Sequence, residues 1–244
     1  MEQKISRTSA VAATAILAVA AFFLRTGQMA AAFNAEGIRT GKGVVFFSCV
    51  TIAVLVLFGL YSRSLKGRKK CAAMTDRSLP VMAAGCLAAL LMVISGAMLL
   101  LRPGQQGEQV VALGSVLTGL CWAAVAMCRY QGKKAHAALF LVPTVFYVVA
   151  LVFRFRFWTR DPVILDYCYD LAALICVMCA VFHLGSFSFD KGERRRAVFF
   201  AMSGVFFCAA ALAGASAAQA LGYVAAIVWL MDNLWLLLRP VRQK

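Results

Sequence analysis

The chain has 244 residues, of which 63% are apolar and only 14% are charged, and its mean hydropathy is +0.82. This composition excludes an ordinary soluble domain and is typical of an integral membrane protein. The formal net charge of +15 does not indicate nucleic-acid binding, because the Lys and Arg residues lie in short connections between apolar runs. We expect these connections to contact the bilayer and its anionic lipid headgroups instead.

Apolar runs of about 20 residues recur along the chain, and each is long enough to cross roughly 30 Å of hydrocarbon as a helix. Backbone polar groups in lipid must be satisfied within the segment, so each run is predicted to be an α-helix. The fold class is therefore all-α: a polytopic integral membrane protein in which residues 1–244 form one transmembrane domain. The eight transmembrane helices, packed as one bundle, are predicted at about 8–24, 44–61, 80–101, 109–128, 136–153, 163–184, 197–216 and 219–238.

The distribution of basic residues predicts the orientation, because cytoplasmic connections carry an excess of Lys and Arg. Most of the 25 Lys and Arg residues lie before the first span, in the second, fourth and sixth connections, or after the last span. Eight spans in the cell membrane, with both termini cytoplasmic, explain this bias. The basic residues on the opposite side are Arg25, Arg39, Lys42, Arg102, Arg154, Arg156 and Arg160.

The first span has two interpretations. The basic start MEQKISR precedes the apolar core VAATAILAVAAFFL, and small residues follow at 29–32, as in a cleaved signal peptide. Arg25 lies between that core and the cleavage site, which is unusual for a signal peptide, so we favour an uncleaved anchor. Cleavage would leave the other spans in the same orientation.

Two similar connections raise the hypothesis of an internal duplication. SRSLKGRKK begins at Ser62 and SFSFDKGERRR at Ser186, each after an even-numbered span, and their offset is close to half the chain. A duplicated unit of four helices would give two halves in the same orientation, a 4+4 parallel pseudo-repeat. The alternative is that basic Gly/Ser connections resemble each other by chance.

Small residues predict where helices approach each other closely. They crowd the seventh span at 209–218 and occur in the fourth at Gly114, Ser115 and Gly119.

Three aspartates lie within predicted spans: Asp166 and Asp170 in the sixth, and Asp232 in the eighth. No Lys or Arg is predicted deep in any span. A carboxylate near the bilayer centre costs about 2.5–3.5 kcal/mol on insertion scales, so such residues usually face the bundle interior or a watery cavity. These aspartates are therefore the leading candidates for a functional site.

The stretch RDPVILDYCYD places two of these acids near the extracytoplasmic end of the sixth span. Asp161 and Pro162 form a conventional helix start, a capping carboxylate followed by Pro. Asp166 and Asp170 are four residues apart and share one face of the helix.

Nearby arginines give this region two interpretations. In the structural one, Arg154, Arg156 and Arg160 pair with Asp166 and Asp161 and fasten the fifth span to the sixth. In the functional one, the region is the outer vestibule for a solute or cation. Its predicted binding residues are Asp166, Asp170, Tyr167, Tyr169, Arg154 and Arg156.

The motif WLMDNLW places Asp232 and Asn233 closer to the cytoplasmic end of the eighth span. This polar pair either bonds to a neighbouring helix or forms an inner gate or proton-titrating site. The second interpretation pairs Asp232 with the outer Asp170 in an alternating pathway.

Motifs of common enzyme classes are missing: the chain has no GxxxxGK[ST], HExxH or GxSxG. Cys176 and Cys179 have CxxC spacing, but they lie within a span without a second Cys or His pair nearby, so no metal site is predicted. We predict no cofactor and no catalytic residue, and an enzyme is the weaker class.

The favoured function is a small-solute or ion permease, or a transport component, that uses its intramembrane aspartates. The alternative is a non-catalytic scaffold or sensor subunit that binds a membrane or cytoplasmic protein partner or anionic lipid. A permease should have a water-accessible cavity beside Asp170 or Asp232, whereas a scaffold should have both carboxylates bonded and enclosed.

Overall fold

The computed structural model describes residues 2–30, 42–65, 74–101, 108–158 and 164–239, without the side chains of 2–7, 42, 157–158 and 164–166. Within these residues the chain forms eight long helices and a short 3-10 turn at Ser186–Phe189. The helices are α1 (Glu2–Met29), α2 (Lys42–Ser64), α3 (Leu79–Leu101), α4 (Glu108–Tyr130), α5 (Ala138–Trp158), α6 (Ile164–Gly185), α7 (Arg194–Leu212) and α8 (Ala217–Leu237).

All eight helices are long and apolar enough to cross a membrane. The prediction of an all-helical chain with eight helices long and apolar enough for a multi-pass membrane protein is therefore confirmed. Four bounds differ clearly from expectation. The first helix begins at Glu2 and continues to Met29, and the fifth continues to Trp158. The seventh ends at Leu212, where a turn at Ala213 and Gly214 follows. Helix α8 then begins after Ser216, whose backbone N–H donates to Gln219 Oε1 at 3.2 Å.

Six of the helices form a closed ring. Helices α3 to α8 each pack against the next in chain order, and α8 returns to pack extensively against α3. Helices α1 and α2 lie outside this ring against α7. Helix α7 is thus covered on both sides, and every residue from 201 to 211 is buried. The ring interior is the part of the fold that positions the candidate site.

Contacts between connections show which helix ends lie together. Arg195 Nε donates to the Leu65 carbonyl at 2.8 Å, so the end of α2 meets the start of α7. Lys134 Nζ lies 2.5 Å from Asp190 Oδ2, which joins the connections after α4 and after α6. An ion pair from Arg239 to Asp76 joins the end of α8 to the start of α3. The basic connections therefore share one end of the bundle, as the antiparallel topology requires.

The cytoplasmic location of this end and the 4+4 pseudo-repeat stay predictions. Helices α1 and α2 lie outside the ring, whereas α5 and α6, their counterparts in the proposed second half, belong to it. The two halves therefore pack differently.

Candidate functional site

Arg154, near the end of α5, joins three helices inside the ring. Its Nη1 donates to both carboxylate oxygens of Asp170 on α6, at 2.6 and 2.7 Å. The same nitrogen donates to the hydroxyl of Tyr223 on α8. The Arg154 and Asp170 side chains are only 17% and 14% exposed. Arg154, Asp170 and Tyr223 are called the Arg154 cluster below.

The cluster settles part of the expected pairing between α5 and α6. An arginine of α5 does bind a carboxylate of α6, but the carboxylate is that of Asp170. Side chains in a helix lean toward its N-terminus, so Arg154 reaches inward from the end of α5. Helix α6 runs the opposite way, and Asp170 lies deeper in the bundle than Asp166. Arg160, Asp161 and the Asp166 side chain lie outside the described residues, so their pairing stays a prediction.

Tyr169, also predicted for this region, lies away from the Arg154 cluster. The Tyr169 ring packs against Phe47 of α2, with 4.9 Å between ring centroids, and against Phe207 of α7 at 6.4 Å. Tyr169 therefore faces the outside of the ring. Arg156 is exposed and Tyr167 is half-buried. The structure therefore brings Asp170 and Arg154 together and places Tyr169 apart from them.

Arg25 is a buried polar residue whose role sequence reasoning missed. It is 2% exposed, its Nη1 donates to Gln28 Oε1 at 2.6 Å, and its guanidinium carbon lies 4.7 Å from the Tyr169 ring centroid. These contacts explain why α1 continues past the predicted end of the first span. The available signal was an arginine directly after an apolar run, with Gln28 one helical turn later.

A second buried arginine, Arg129 in the last turn of α4, lies toward the other end of the ring. Its Nη2 donates to Asn233 Oδ1 at 2.6 Å, and its Nη1 lies 3.7 Å from Asp232 Oδ2. The Arg129 and Asp232 side chains are 5% and 4% exposed. Asn233 Nδ2 in turn donates to the Trp229 carbonyl at 2.7 Å. Arg129, Asp232 and Asn233 are called the Arg129 cluster.

The Arg129 cluster corrects one expectation. Arg129 was assigned to a connection. Instead α4 continues to Tyr130, and its turn comes at Gly132, which has a φ of +73°. This glycine was the signal that the helix ends later than the last apolar residue. The bond to a neighbouring helix, one of the two interpretations of Asp232 and Asn233, is present.

A stacked tryptophan pair lies next to the Arg129 cluster. The Trp122 and Trp229 rings are parallel within 4°, with centroids 4.9 Å apart, and both side chains are fully buried. The Arg129 guanidinium carbon lies 5.2 Å from the Trp229 ring centroid, a cation–π distance. Arginine and indoles thus form one continuous stack between α4 and α8.

A cavity of about 40 Å³ lies inside the ring and is lined by residues from all six ring helices. This volume holds about three water molecules. Tyr147 is 4% exposed, and its hydroxyl has no hydrogen-bond partner within the described part of the chain. Neither Asp170 nor Asp232 lines the cavity. The polar residues that do are Ser95, Ser115, Tyr147, Arg154, Gln219 and Tyr223.

These features follow one another along α8. Tyr223 belongs to the Arg154 cluster and the cavity wall, and Ala226 also lines the cavity. Trp229 stacks on Trp122, and Asp232 belongs to the Arg129 cluster. Residues three apart lie on neighbouring positions of one helix face. Gln219 and Gly222, which precede Tyr223, also line the cavity. The Arg154 cluster is therefore part of the cavity wall, and the tryptophan pair and the Arg129 cluster follow beyond the cavity.

The described residues contain no group of three or more His, Cys, Asp or Glu side chains that would hold a metal ion. Cys176 and Cys179 carry free thiols.

Comparisons with known proteins identify no relative: no family model, no curated protein and no solved structure matches the chain. The assignment as a multi-pass membrane protein therefore rests on its eight apolar helices.

Proposed function

We propose that this protein is a small-solute or ion permease, or a transport component, of the cell membrane, with both termini in the cytoplasm. The cavity inside the ring carries the proposal. It has the Arg154 cluster in its wall, and the tryptophan pair and the Arg129 cluster separate it from the basic end, as expected of a pathway closed at that end. The cavity has room for about three waters, so a larger cargo would enter only after the ring widens.

The two charge clusters are proposed to be the closures. Each joins helices on facing sides of the ring, so breaking one cluster would release its end of the ring while the other stays closed. Such alternation between two states is how substrate sites near the membrane midplane gain access to one side at a time.

This proposal changes the role first assigned to the aspartates. Asp170 binds Arg154 and Asp232 lies against Arg129, and neither carboxylate lines the cavity. The carboxylates are therefore proposed to hold the arginines in the closed position rather than to contact cargo.

The exposed basic residues at the shared end of the bundle are proposed to contact anionic lipid headgroups. Among the described residues they are Arg63, Arg77, Lys133, Lys134, Lys191, Arg195 and Arg196.

Reconstitution into liposomes tests the permease proposal. Uptake of a panel of small ions and neutral solutes is compared for the native chain, Asp170→Asn and Asp232→Asn. Asp190→Asn is the control, because Asp190 forms an exposed pair with Lys134. Each of the first two changes weakens one closure, so we expect altered flux of at least one solute, while Asp190→Asn behaves as the native chain. Identical flux of every solute by all four proteins contradicts the proposal.

A second candidate function is a membrane scaffold or sensor subunit. One observation favours it: both intramembrane carboxylates that the structure describes are enclosed and lie against arginines. A buried ion pair replaced by apolar side chains of similar volume is often neutral or stabilising. The double change Arg154→Met with Asp170→Leu therefore separates the candidates. A scaffold keeps its fold and its partner, whereas a permease keeps its fold and loses its outer closure.

A further inference from the structure

The stacked tryptophan pair buries two hydrogen-bond donors. Trp122 and Trp229 are fully buried, and neither indole Nε1 has a hydrogen-bond partner within the described part of the chain. A buried tryptophan usually finds an acceptor for its N–H group, and an indole N–H without one costs free energy. Two such groups on stacked rings are an exception that needs a physical explanation.

A third buried donor lies one helical turn before Trp122 on α4. Thr118 is fully buried, and its hydroxyl also lacks a partner among the described residues. The hydroxyls of Thr51 and Thr144, in contrast, donate to the carbonyls four residues earlier in their own helices, at 2.9 and 2.8 Å. Threonines in these helices can therefore satisfy their hydroxyls with the backbone, whereas Thr118 has no such bond.

These three donors lie where the ring is closed between its cavity and its basic end. On the buried face of α4, Thr118 and Trp122 follow Ser115, which lines the cavity. On α8, Trp229 follows Ala226, which also lines the cavity. The three donors therefore occupy a part of the ring that a pathway from the cavity to the basic end would cross.

Two contacts hold the Trp229 ring in place. The Arg129 guanidinium carbon lies 5.2 Å from its centroid, and a Cβ atom on Gly85 of α3 would lie 3.7 Å from Trp229 Cζ3. Stacking, packing and the cation–π contact favour the closed pair. The three donors, which have no acceptor in the described chain, oppose it. Opposing contributions of this kind produce an equilibrium that a neighbouring contact can shift.

We propose that the tryptophan pair is a gate that opens while the helices around it stay folded. In the closed state the indoles stack. In the open state they separate, and water accepts hydrogen bonds from both indole N–H groups and from the Thr118 hydroxyl. The Arg129 cluster beside Trp229 stabilises the closed state. This inference rests on the proposed function, because it names the moving part of the same pathway, but the opening is measurable without any solute.

Hydrogen exchange of the indole protons tests the gate in the native chain. The full chain, with isotope-labelled tryptophan, is transferred in lipid nanodiscs to deuterated water. NMR then follows the indole N–H and the backbone N–H of each tryptophan, and the signals of the pair are assigned by their loss in Trp122→Phe and Trp229→Phe. Each exchange rate is divided by the rate of the same proton in the unfolded chain.

On this scale we expect the indole protons of the pair to exchange at least about tenfold faster than the backbone protons of the same two residues. The reason is that local opening requires less free energy than unfolding of a helix. A pair that never opens in the folded bundle would protect its indole and backbone protons equally, because both would then exchange only on unfolding.

Asp232→Asn removes the negative partner of Arg129, whose Nη1 lies 3.7 Å from Asp232 Oδ2. The Arg129 cluster is then weaker, so we expect indole exchange of the pair to be at least about threefold faster, with backbone exchange unchanged. Asp190→Asn is the matched control, because Asp190 is exposed and pairs with Lys134. It should leave all four protons of the pair as they are in the native chain.

The inference is overturned if the indole protons of the pair are protected as strongly as their backbone protons. It is also overturned if Asp232→Asn speeds indole exchange no more than Asp190→Asn does. If Asp232→Asn does not fold, the native chain alone decides.

Flux in liposomes separates this failure from that of the permease proposal. Fast indole exchange without flux of any solute keeps the gate and removes the permease. Flux that responds to Asp232→Asn, with indole protons as protected as the backbone, keeps the permease and removes the gate.

Discussion

Arg129 and Asp232 are almost completely enclosed, so their contact is an interior one. Taking two charges out of water is expensive, and their attraction with added hydrogen bonds offsets that cost. Asn233 supplies such a bond to Arg129, and the Trp229 ring covers the guanidinium. At the scale of single residues, this cluster is therefore sensitive to the loss of one partner.

Arg129→Ala should destabilise the protein by on the order of 3 kcal/mol, because it leaves Asp232 buried without its cation. The measurement is thermal or denaturant unfolding in detergent micelles. Lys134→Ala is the control. Lys134 and Asp190 are 57% and 41% exposed, so their pair is screened by solvent and its loss should cost less than about 1 kcal/mol. Equal losses for the two changes would contradict an interior role for Arg129.

Helices α3 and α4 show why glycine is needed where two helices cross. A Cβ atom on Gly119 would lie 2.7 Å from the Ala89 carbonyl oxygen and 2.6 Å from Val93 Cγ2. On the opposite helix, a Cβ on Gly96 would lie 2.7 Å from the Ala112 carbonyl oxygen. The close approach predicted for the fourth span at Gly119 is thus confirmed, and its partner is α3.

Gly119→Ala should destabilise the bundle by about 1–3 kcal/mol, because the backbone of α3 must move away. Gly27→Ala in α1 is the control. A Cβ there meets nothing within 4 Å, and alanine is the better helix former, so the change should be neutral or slightly stabilising. Unfolding of both variants in the same detergent checks the difference. A Gly119→Ala protein as stable as the native one would show that the crossing is not this tight.

The whole molecule combines a six-helix ring with two helices on its outside. Three contacts tie the basic connections together at one end, and the Arg154 cluster lies toward the other. The charge bias predicts that the basic end is cytoplasmic. The predicted orientation in the membrane therefore applies to the whole bundle and not to any one helix.

Reporter fusions test that orientation. A fluorescent protein that matures only in the cytoplasm should be bright when fused at the C-terminus or after Gly132, because both positions belong to the basic end. Alkaline phosphatase, which is active only outside the cytoplasm, should be active when fused after Gly214, in the turn between α7 and α8. Phosphatase activity after Gly132 would reverse the predicted orientation.

The sequence predicted several of the residues that make interior contacts, but it did not predict which residues they contact. Asp170 and Asp232 were predicted as important because a carboxylate in an apolar run is rare whatever surrounds it. Arg154 was expected to bind α6, since a short connection brings the end of α5 beside the start of α6. Arg129 was missed because its partners, Asp232 and Asn233, lie more than 100 residues away, a separation of 104 for Asn233.

The sequence by itself determined the number of crossing helices and the end of each that carries the basic residues. Both depend on local properties, the length of an apolar run and the charge of the connection beside it. Tertiary structure alone decided which helices close the ring, which arginine meets which aspartate, and that Tyr147 rather than either carboxylate lines the cavity. These outcomes depend on which faces of distant helices pack together, and no single segment of the sequence determines that packing.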